Sequence, residues 1–337
     1  MPTVLESLNH GLHQLLDADA RVVILGEDIL DPYGGAFKVT RGLSLRFPDR
    51  VFTTPISEAA IVGLASGLAL RGLRPIAEIM FGDFLFLAGD QLVNHAAKFR
   101  WMYNDGVRVP LVIRTPMGGR RGYGPTHSQS IEKHFMGVPG LWVVAPHVLS
   151  SPGDLLRKAT LECDEPVVFI ESKTCYSRQL LGGVAQMTTA TLVDRPSPFP
   201  TLHLQHDDGS RPDAVMWCYG GMVPHCVEAI QHLRSAEGLS VDLAVVSQLS
   251  PVPSTHIRRI LDTTRPRVSV YVEEASIAYG WAAEVLAQVQ EHSGSVAGPI
   301  RHERIGAADS PIPSSRELER RTLPQVDDIV TRVLECF

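Results

Sequence analysis

The sequence predicts an α/β protein made of two doubly wound domains, each built on a mainly parallel sheet. Two observations carry that prediction. Short apolar runs alternate with amphipathic stretches from residue 3 to 171, and a second alternation runs from 214 to 336. Such alternation places helices on both faces of a parallel sheet. Between the two, from Gly182 to Ser210, the pattern fades into Pro, Thr, His and Asp. Residues 186–212 therefore read as a linker joining domains at 1–185 and 213–337, and 337 residues suffice for two cores.

Residues 3–17 carry Leu5, Leu8, Leu12, Leu15 and Leu16 on one side of a helix. Arg21–Gly26 is an apolar strand, and Glu27-Asp28 follow where a parallel strand would end. Ligands of open α/β sheets gather beyond those carboxyl ends, although two loop acids facing water fit equally well. Leu43–Phe47 reads as a short helix, and strands are expected at 51–54 and 75–80. A long helix is expected from Asp83 to about Tyr103, with Phe84 at its start. Val109–Arg114 is a strand, followed by a long Gly-rich loop, Thr115–Ser130, that carries Arg120, Arg121, Tyr123, His127 and Gln129. Long loops in compact domains tend to be functional, yet this one matches neither a Walker loop nor a dinucleotide fingerprint. Strands at 141–145 and 167–171 flank a helix at 155–161. The second alternation gives strands at 214–219, 241–247 and 268–272, with helices at 223–237, 254–261, 279–291 and 324–336.

Composition narrows the class. A net charge of −6 supplies no basic field for nucleic acid. No apolar stretch reaches spanning length, so no membrane segment is expected. Five scattered cysteines without a Cys-x-x-Cys pair read as reduced thiols of a cytoplasmic protein.

The chain is organised around residues 53–72. Ser57 stands as an N-cap for a helix from Glu58, whose body holds one polar residue, Ser66, before Arg71. Gly63 and Gly67 share a face, and such a helix reads as buried nearly all round. Glu58 is then either a first-turn acid facing the helix dipole or a desolvated carboxylate poised for proton work.

Several stretches together resemble the β subunit of the decarboxylase component of 2-oxoacid dehydrogenase complexes (pyruvate, branched-chain, acetoin). They are Gly26-Glu-Asp, Gly35–Gly42, Pro55-Ile-Ser-Glu-Ala-Ala-Ile-Val-Gly63, Asp90-Gln91 and Gly118–Gln129 with its His-Ser-Gln. Pro139-Gly-Leu, Pro166-Val-Val-Phe, Val272-Glu-Glu, Pro311-Ile-Pro and Leu323–Ile329 continue the likeness over nearly the whole chain. The resemblance implies a transketolase-type pyrimidine-binding domain at 1–185 and a transketolase-type C-terminal domain at 213–337. It implies thiamine diphosphate shared with an α subunit in an α/β heterotetramer, and a small 2-oxo acid whose acyl group passes to a lipoyl-domain acyltransferase. By the same resemblance Glu58 binds the aminopyrimidine ring nitrogen, Phe84 stacks on that ring, Glu27 relays protons nearby, and His127 is an active-site histidine. The lesser alternative for His127 is a loop histidine at the surface. A structural monovalent cation, potassium, is implied at the backbone carbonyls of Leu111, Ala159 and Thr160.

Enzymes of this cofactor class hold magnesium and the diphosphate with Gly-Asp-Gly followed by Asn-Asn. This chain has Gly-Asp at 82–83, 89–90 and 153–154 with no following Gly, and no Asn-Asn. Activity is therefore expected only with an α subunit that supplies the magnesium site. The loop also departs from the family at Arg120-Arg121 and at Thr126, where Tyr is common before the His. Two guanidinium groups can grip a carboxylate or a phosphopantetheine phosphate, or stand as a solvated pair. They leave open a transketolase-like alternative in which a ketol donor gives a two-carbon unit to the thiol of an acyl carrier protein. A second alternative is a non-catalytic subunit that keeps only the fold.

Overall fold

The computed structural model describes residues 1–194, 197–206, 209–292 and 300–337. The first domain holds strands β1 (Val22–Gly26), β2 (Val51–Thr53), β3 (Arg74–Glu78), β4 (Val112–Met117), β5 (Trp142–Val144) and β6 (Val167–Ser172). Its helices are α1 (Val4–Ala18), α2 (Leu43–Arg46), α3 (Glu58–Leu70), α4 (Ala97–Met102), α5 (Lys133–Met136) and α6 (Pro152–Leu161). All six strands run parallel in the order β5-β6-β4-β3-β1-β2. Every residue of β1 is buried, as expected of strands covered on both faces. The chain leaves β1 for β2 on one side and returns through α3 to β3 on the other. That reversal makes a crevice at the carboxyl ends of β1 and β3.

The second domain has β7 (Met187–Leu192), β8 (Thr201–His206), β9 (Ala214–Cys218), β10 (Val241–Val246), β11 (Gln248–Ser250), β12 (Val268–Ser276) and β13 (Arg301–Ala307). Helices α7 (Val223–Glu237), α8 (Ser254–Thr264), α9 (Trp281–His292), α10 (Arg316–Thr322) and α11 (Val326–Leu334) accompany them. The sheet order is β13-β12-β9-β10-β8-β7, parallel from β13 to β10 and antiparallel beyond. Strand β11 leaves this sheet and pairs antiparallel with β5, so the second domain extends the first domain's sheet. Among the described residues no helix is long and apolar enough to cross a membrane.

Four expectations are corrected. Residues 186–212 are not simply a linker: they contain β7 and β8, an antiparallel pair on the second sheet. Their polarity hid them, because β7 is a mostly exposed edge and β8 buries histidines against β10. His203 Nε2 meets Asp242 Oδ2 at 2.9 Å, and Val241 N donates to His206 Nε2 at 3.0 Å. The helix expected from Asp83 to Tyr103 is a 3₁₀ segment at Gly82–Ala88, a wide π turn at Gln91–Ala96, and then α4. In the 3₁₀ period Leu85 and Ala88 stay in the core, while Asp83 reaches the neighbouring loop. Helix α3 is only half covered in this chain. Ile61, Val62, Ala65 and Ala69 face the core, whereas Leu64 (53% exposed), Gly67 and Leu70 face outward. Ser57 occupies the N-cap with extended backbone, but its side chain makes no capping bond.

Helices α1 and α6 pack at the distance two glycines allow. A Cβ on Gly11 would stand 2.6 Å from Gly153 Cα, which no real contact tolerates.

Candidate active site

The candidate residues come from the carboxyl ends of successive parallel strands. Glu27 follows β1, Glu58 opens α3 after β2, and Phe81, Asp83 and Phe84 follow β3. His127 lies on the loop after β4, and Lys173 follows β6. Glu27 and Glu58 are both buried, 7% and 6% exposed. Burial first, then the Glu58 charge, pushes the Glu27 carboxyl above its ordinary value. Glu27 Oε1 is buried without a hydrogen-bond partner among the described residues. An acid in that state calls for a donor from outside the chain.

Helix α3 packs against the 3₁₀ segment that carries Phe84. The His127 ring stands edge-on to Phe84 and Phe81, with centroids 5.1 and 5.0 Å away. The Tyr123 ring also stands edge-on to Phe81, with centroids 6.1 Å apart. Thr126 Oγ1 meets His127 Nδ1 at 3.0 Å, so Thr126 does supply a polar partner to the histidine. Gln129 Nε2 donates to Asp83 Oδ1 at 2.8 Å and ties the loop to the 3₁₀ segment. The structure thus groups Glu27 with Glu58, and Phe84 with His127, at one end of one sheet.

The two arginines fare differently from the expectation. Arg120 turns into the second domain: Nη2 donates to Pro324 O at 2.6 Å, and Nε stands 3.4 Å from Glu274 Oε2. Its backbone N–H donates to Glu319 Oε1 at 2.7 Å. This guanidinium is a domain clasp, which removes it as a substrate or carrier contact. Arg121 Nη2 donates to Lys173 O at 2.7 Å, and its guanidinium lies 5.7 Å over the Phe37 ring. The carbonyls expected to hold potassium do not form a free cage. Arg74 Nη1 donates to Thr160 O at 2.7 Å and to Cys163 O at 3.1 Å, and Nη2 pairs with Asp164. Leu111 O accepts from Val167 N. A guanidinium thus already supplies positive charge at Thr160 O, where the cation was expected.

Two buried charge networks brace the crevice, and neither was expected. Arg114 on β4 is 2% exposed; it donates to both Glu171 oxygens at 2.7 Å and to Glu78 Oε2 at 2.7 Å. Tyr176 Oη donates to Glu171 Oε2 at 2.6 Å. At the domain seam Glu274 Oε1 accepts from Gly119 N at 2.7 Å. Gly118 beside it has φ +91, and a Cβ there would stand 2.6 Å from Glu274 Oε1. Glu132 accepts from Tyr219 Oη at 2.5 Å, while Glu273 accepts from the backbone of Trp281 at 2.9 Å. Burial, then the neighbouring Glu132, pushes Glu273 up to about 8.

That shift fixes a sign. Between the ordinary value of 4.5 and about 8, the folded protein keeps a proton that the unfolded chain has released. Stability therefore falls as pH rises through this window. Glu273→Gln removes the contribution, so the melting temperature of the variant should decline less between pH 5 and 8 than that of the native chain. Parallel declines in a thermal-melt series would show that Glu273 does not carry the dependence.

The two-domain fold and the crevice define a transketolase-type protein. Residues 1–179 match the family "Transketolase, pyrimidine binding domain", and residues 202–329 match "Transketolase, C-terminal domain". A split-gene transketolase, solved as an inactive β4 tetramer, superimposes with a TM-score of 0.75 at 20% identity, covering 100% of this chain and 98% of that one. More similar in sequence is the pyruvate dehydrogenase E1 component subunit beta-2 of Oryza sativa subsp. japonica, a mitochondrial protein. It is 35% identical over 97% of this chain and 84% of its own length. The 3-methyl-2-oxobutanoate dehydrogenase subunit beta of Mycobacterium tuberculosis is 34% identical, over 99% of this chain and 90% of its own. The acetoin:2,6-dichlorophenolindophenol oxidoreductase subunit beta of Cupriavidus necator is also 34% identical, over 96% and 94%. The chain belongs to the family of E1 β subunits of 2-oxoacid dehydrogenases.

Phe81, Asp83, Lys173 and the Arg114 network escaped sequence reasoning. Their signal was present: Glu78, Arg114 and Glu171 each interrupt an apolar run near the end of adjoining strands.

Proposed function

We propose that this chain is the β half of a thiamine diphosphate-dependent 2-oxoacid dehydrogenase, active only with an α subunit in a heterotetramer. The observation that carries the reading is the pair of buried acids, Glu58 at the start of α3 and Glu27 with an unpartnered oxygen. These residues fit the aminopyrimidine end of the coenzyme. Glu58 would hold and share the proton on the ring nitrogen, Phe84 would offer its half-buried ring as a stacking face, and Glu27 would relay protons. When bound, the coenzyme supplies the electron sink for decarboxylation. His127 would orient the 2-oxo acid or donate a proton during acyl transfer to a lipoyl domain.

The outward stripe of Leu64, Gly67 and Leu70, with Ile56 82% exposed and Leu87 64%, supports burial against a partner chain. That partner would also supply magnesium and the diphosphate site. The ketol-transfer alternative leaned on Arg120 and Arg121, and the internal bonds of Arg120 remove half of that support. The cytoplasmic reading stays with this proposal; all five cysteines are buried free thiols.

The test is to co-express the chain with the product of the adjoining open reading frame and to follow dye reduction with pyruvate or a branched 2-oxo acid, thiamine diphosphate and magnesium. Turnover is expected for the pair and not for this chain alone. Turnover by the isolated chain would refute the half-site reading, and an inactive but stable pair would favour the non-catalytic subunit.

A further inference from the structure

Lys173 has no part in the chemistry above, yet it is among the most completely buried side chains of the protein. Burying an ammonium is costly unless polar groups replace its water. No carboxylate lies within ion-pair distance among the described residues. Instead Lys173 Nζ donates to the backbone carbonyl of His127. The ammonium also lies 5.1 Å from the Phe81 ring centroid and 5.6 Å from that of Tyr123, where ring faces attract a cation. The backbone of the same residue bonds once to the strand end that leads into the loop and once to the loop itself. Its N–H donates to Met117 O at 3.2 Å, and its carbonyl accepts from Arg121 Nη2 at 2.7 Å.

One residue thus holds the 118–130 loop at its root, at Arg121 and at His127. We propose that Lys173 is a positioning residue that latches this loop onto the end of β6 and keeps the His127 ring against Phe81 and Phe84. It acts through His127, and in that respect rests on the reading of His127 as an active-site residue.

The latch has a built-in pH range. Burial draws the ammonium down to about 8, against the pull of Asp83 from the 3₁₀ segment, Glu274 from β12 and Glu319 from α10; Arg121 on the loop adds to the depression. Above that value the neutral amine keeps a weaker bond to the His127 carbonyl and loses its attraction to both rings. A lysine that served only to fill the core would give no such response in the loop.

Backbone hydrogen exchange of the α/β complex reads the latch without turnover. Corrected for intrinsic chemistry, protection of residues 118–130 should fall about tenfold from pH 7 to 9 in the native protein, with protection of β4 and β6 unchanged. Lys173→Met should show the low protection at both pH values, and Lys173→Arg should hold the high protection to pH 9. In parallel, Lys173→Met should lower kcat/KM at pH 7 about tenfold, with Lys173→Arg recovering it. Loop protection that is flat from pH 7 to 9 in the native protein overturns the proposal, and this holds even where Lys173→Met fails to fold. So does a folded Lys173→Met with native loop protection. A loop that responds as expected in a complex without turnover would instead sink the catalytic reading and leave the latch standing.

Discussion

Glu58→Gln in the assembled complex should lower kcat on the order of 10³-fold, the range expected when a positioned proton-transfer group is removed. The amide keeps the shape of the carboxylate and the first turn of α3, so the variant should fold and assemble. Loss of a charge at a helix N-terminus costs only about 0.3–1 kcal/mol, which bounds the stability effect. A second consequence separates the catalytic role from the structural one. The Glu58 charge is one of the causes that raise the Glu27 carboxyl. Removing it should move Glu27 back toward its ordinary value, so the acid limb of any residual activity should shift to lower pH. Steady-state kinetics between pH 5 and 8, with a thermal melt of the same preparation, checks both. Native turnover in the variant would reduce Glu58 to a first-turn acid facing the helix dipole.

How much of this was legible in the chain depends on where each residue's partners lie. Helix α3 was readable because Pro55 and Ser57 end a strand and an unbroken apolar run follows. Its exposure was not, since the periodicity of an all-apolar helix does not say which half faces another polypeptide. Strand β8 was lost because its apolar partners were replaced by His203 and His206, whose hydrogen-bonding mates Asp242 and Val241 are more than 30 residues away. Arg120 looked like a free guanidinium on a Gly-rich loop; the groups that consume it, Pro324 and Glu274, are at least 150 residues downstream. The acids Glu27 and Glu58 were legible for the opposite reason. Both sit where the local pattern, strand end or helix start, already fixes the direction of the side chain. The short spacing between Glu78, Arg114 and Glu171 in the sheet is likewise invisible until the strand order β3-β4-β6 is known.

That last group carries the largest expected loss of stability. Arg114→Met removes the cation that pairs with both Glu78 and Glu171, which are buried at 9% and 1% exposure. Glu171 loses two bonds of 2.7 Å and keeps only Tyr176, while Glu78 loses its single side-chain donor among the described residues. Stripping one partner from a buried ion pair costs about 3–5 kcal/mol, because the remaining charge has neither water nor a counter-ion. Burial already raises Glu78 above the ordinary carboxyl value in spite of Arg114; without the guanidinium it should rise further. The variant's deficit should therefore shrink toward acid pH, where the freed carboxylates take up protons. Adding Glu78→Gln and Glu171→Gln to Arg114→Met removes both orphaned charges and should recover more than half of the loss. Chemical denaturation of the three proteins at pH 5.5 and 7.5 tests the sequence of effects. A single variant within 1 kcal/mol of native at pH 7.5 would mean that water reaches the cluster, and that the charges under the crevice brace it far less than their burial implies.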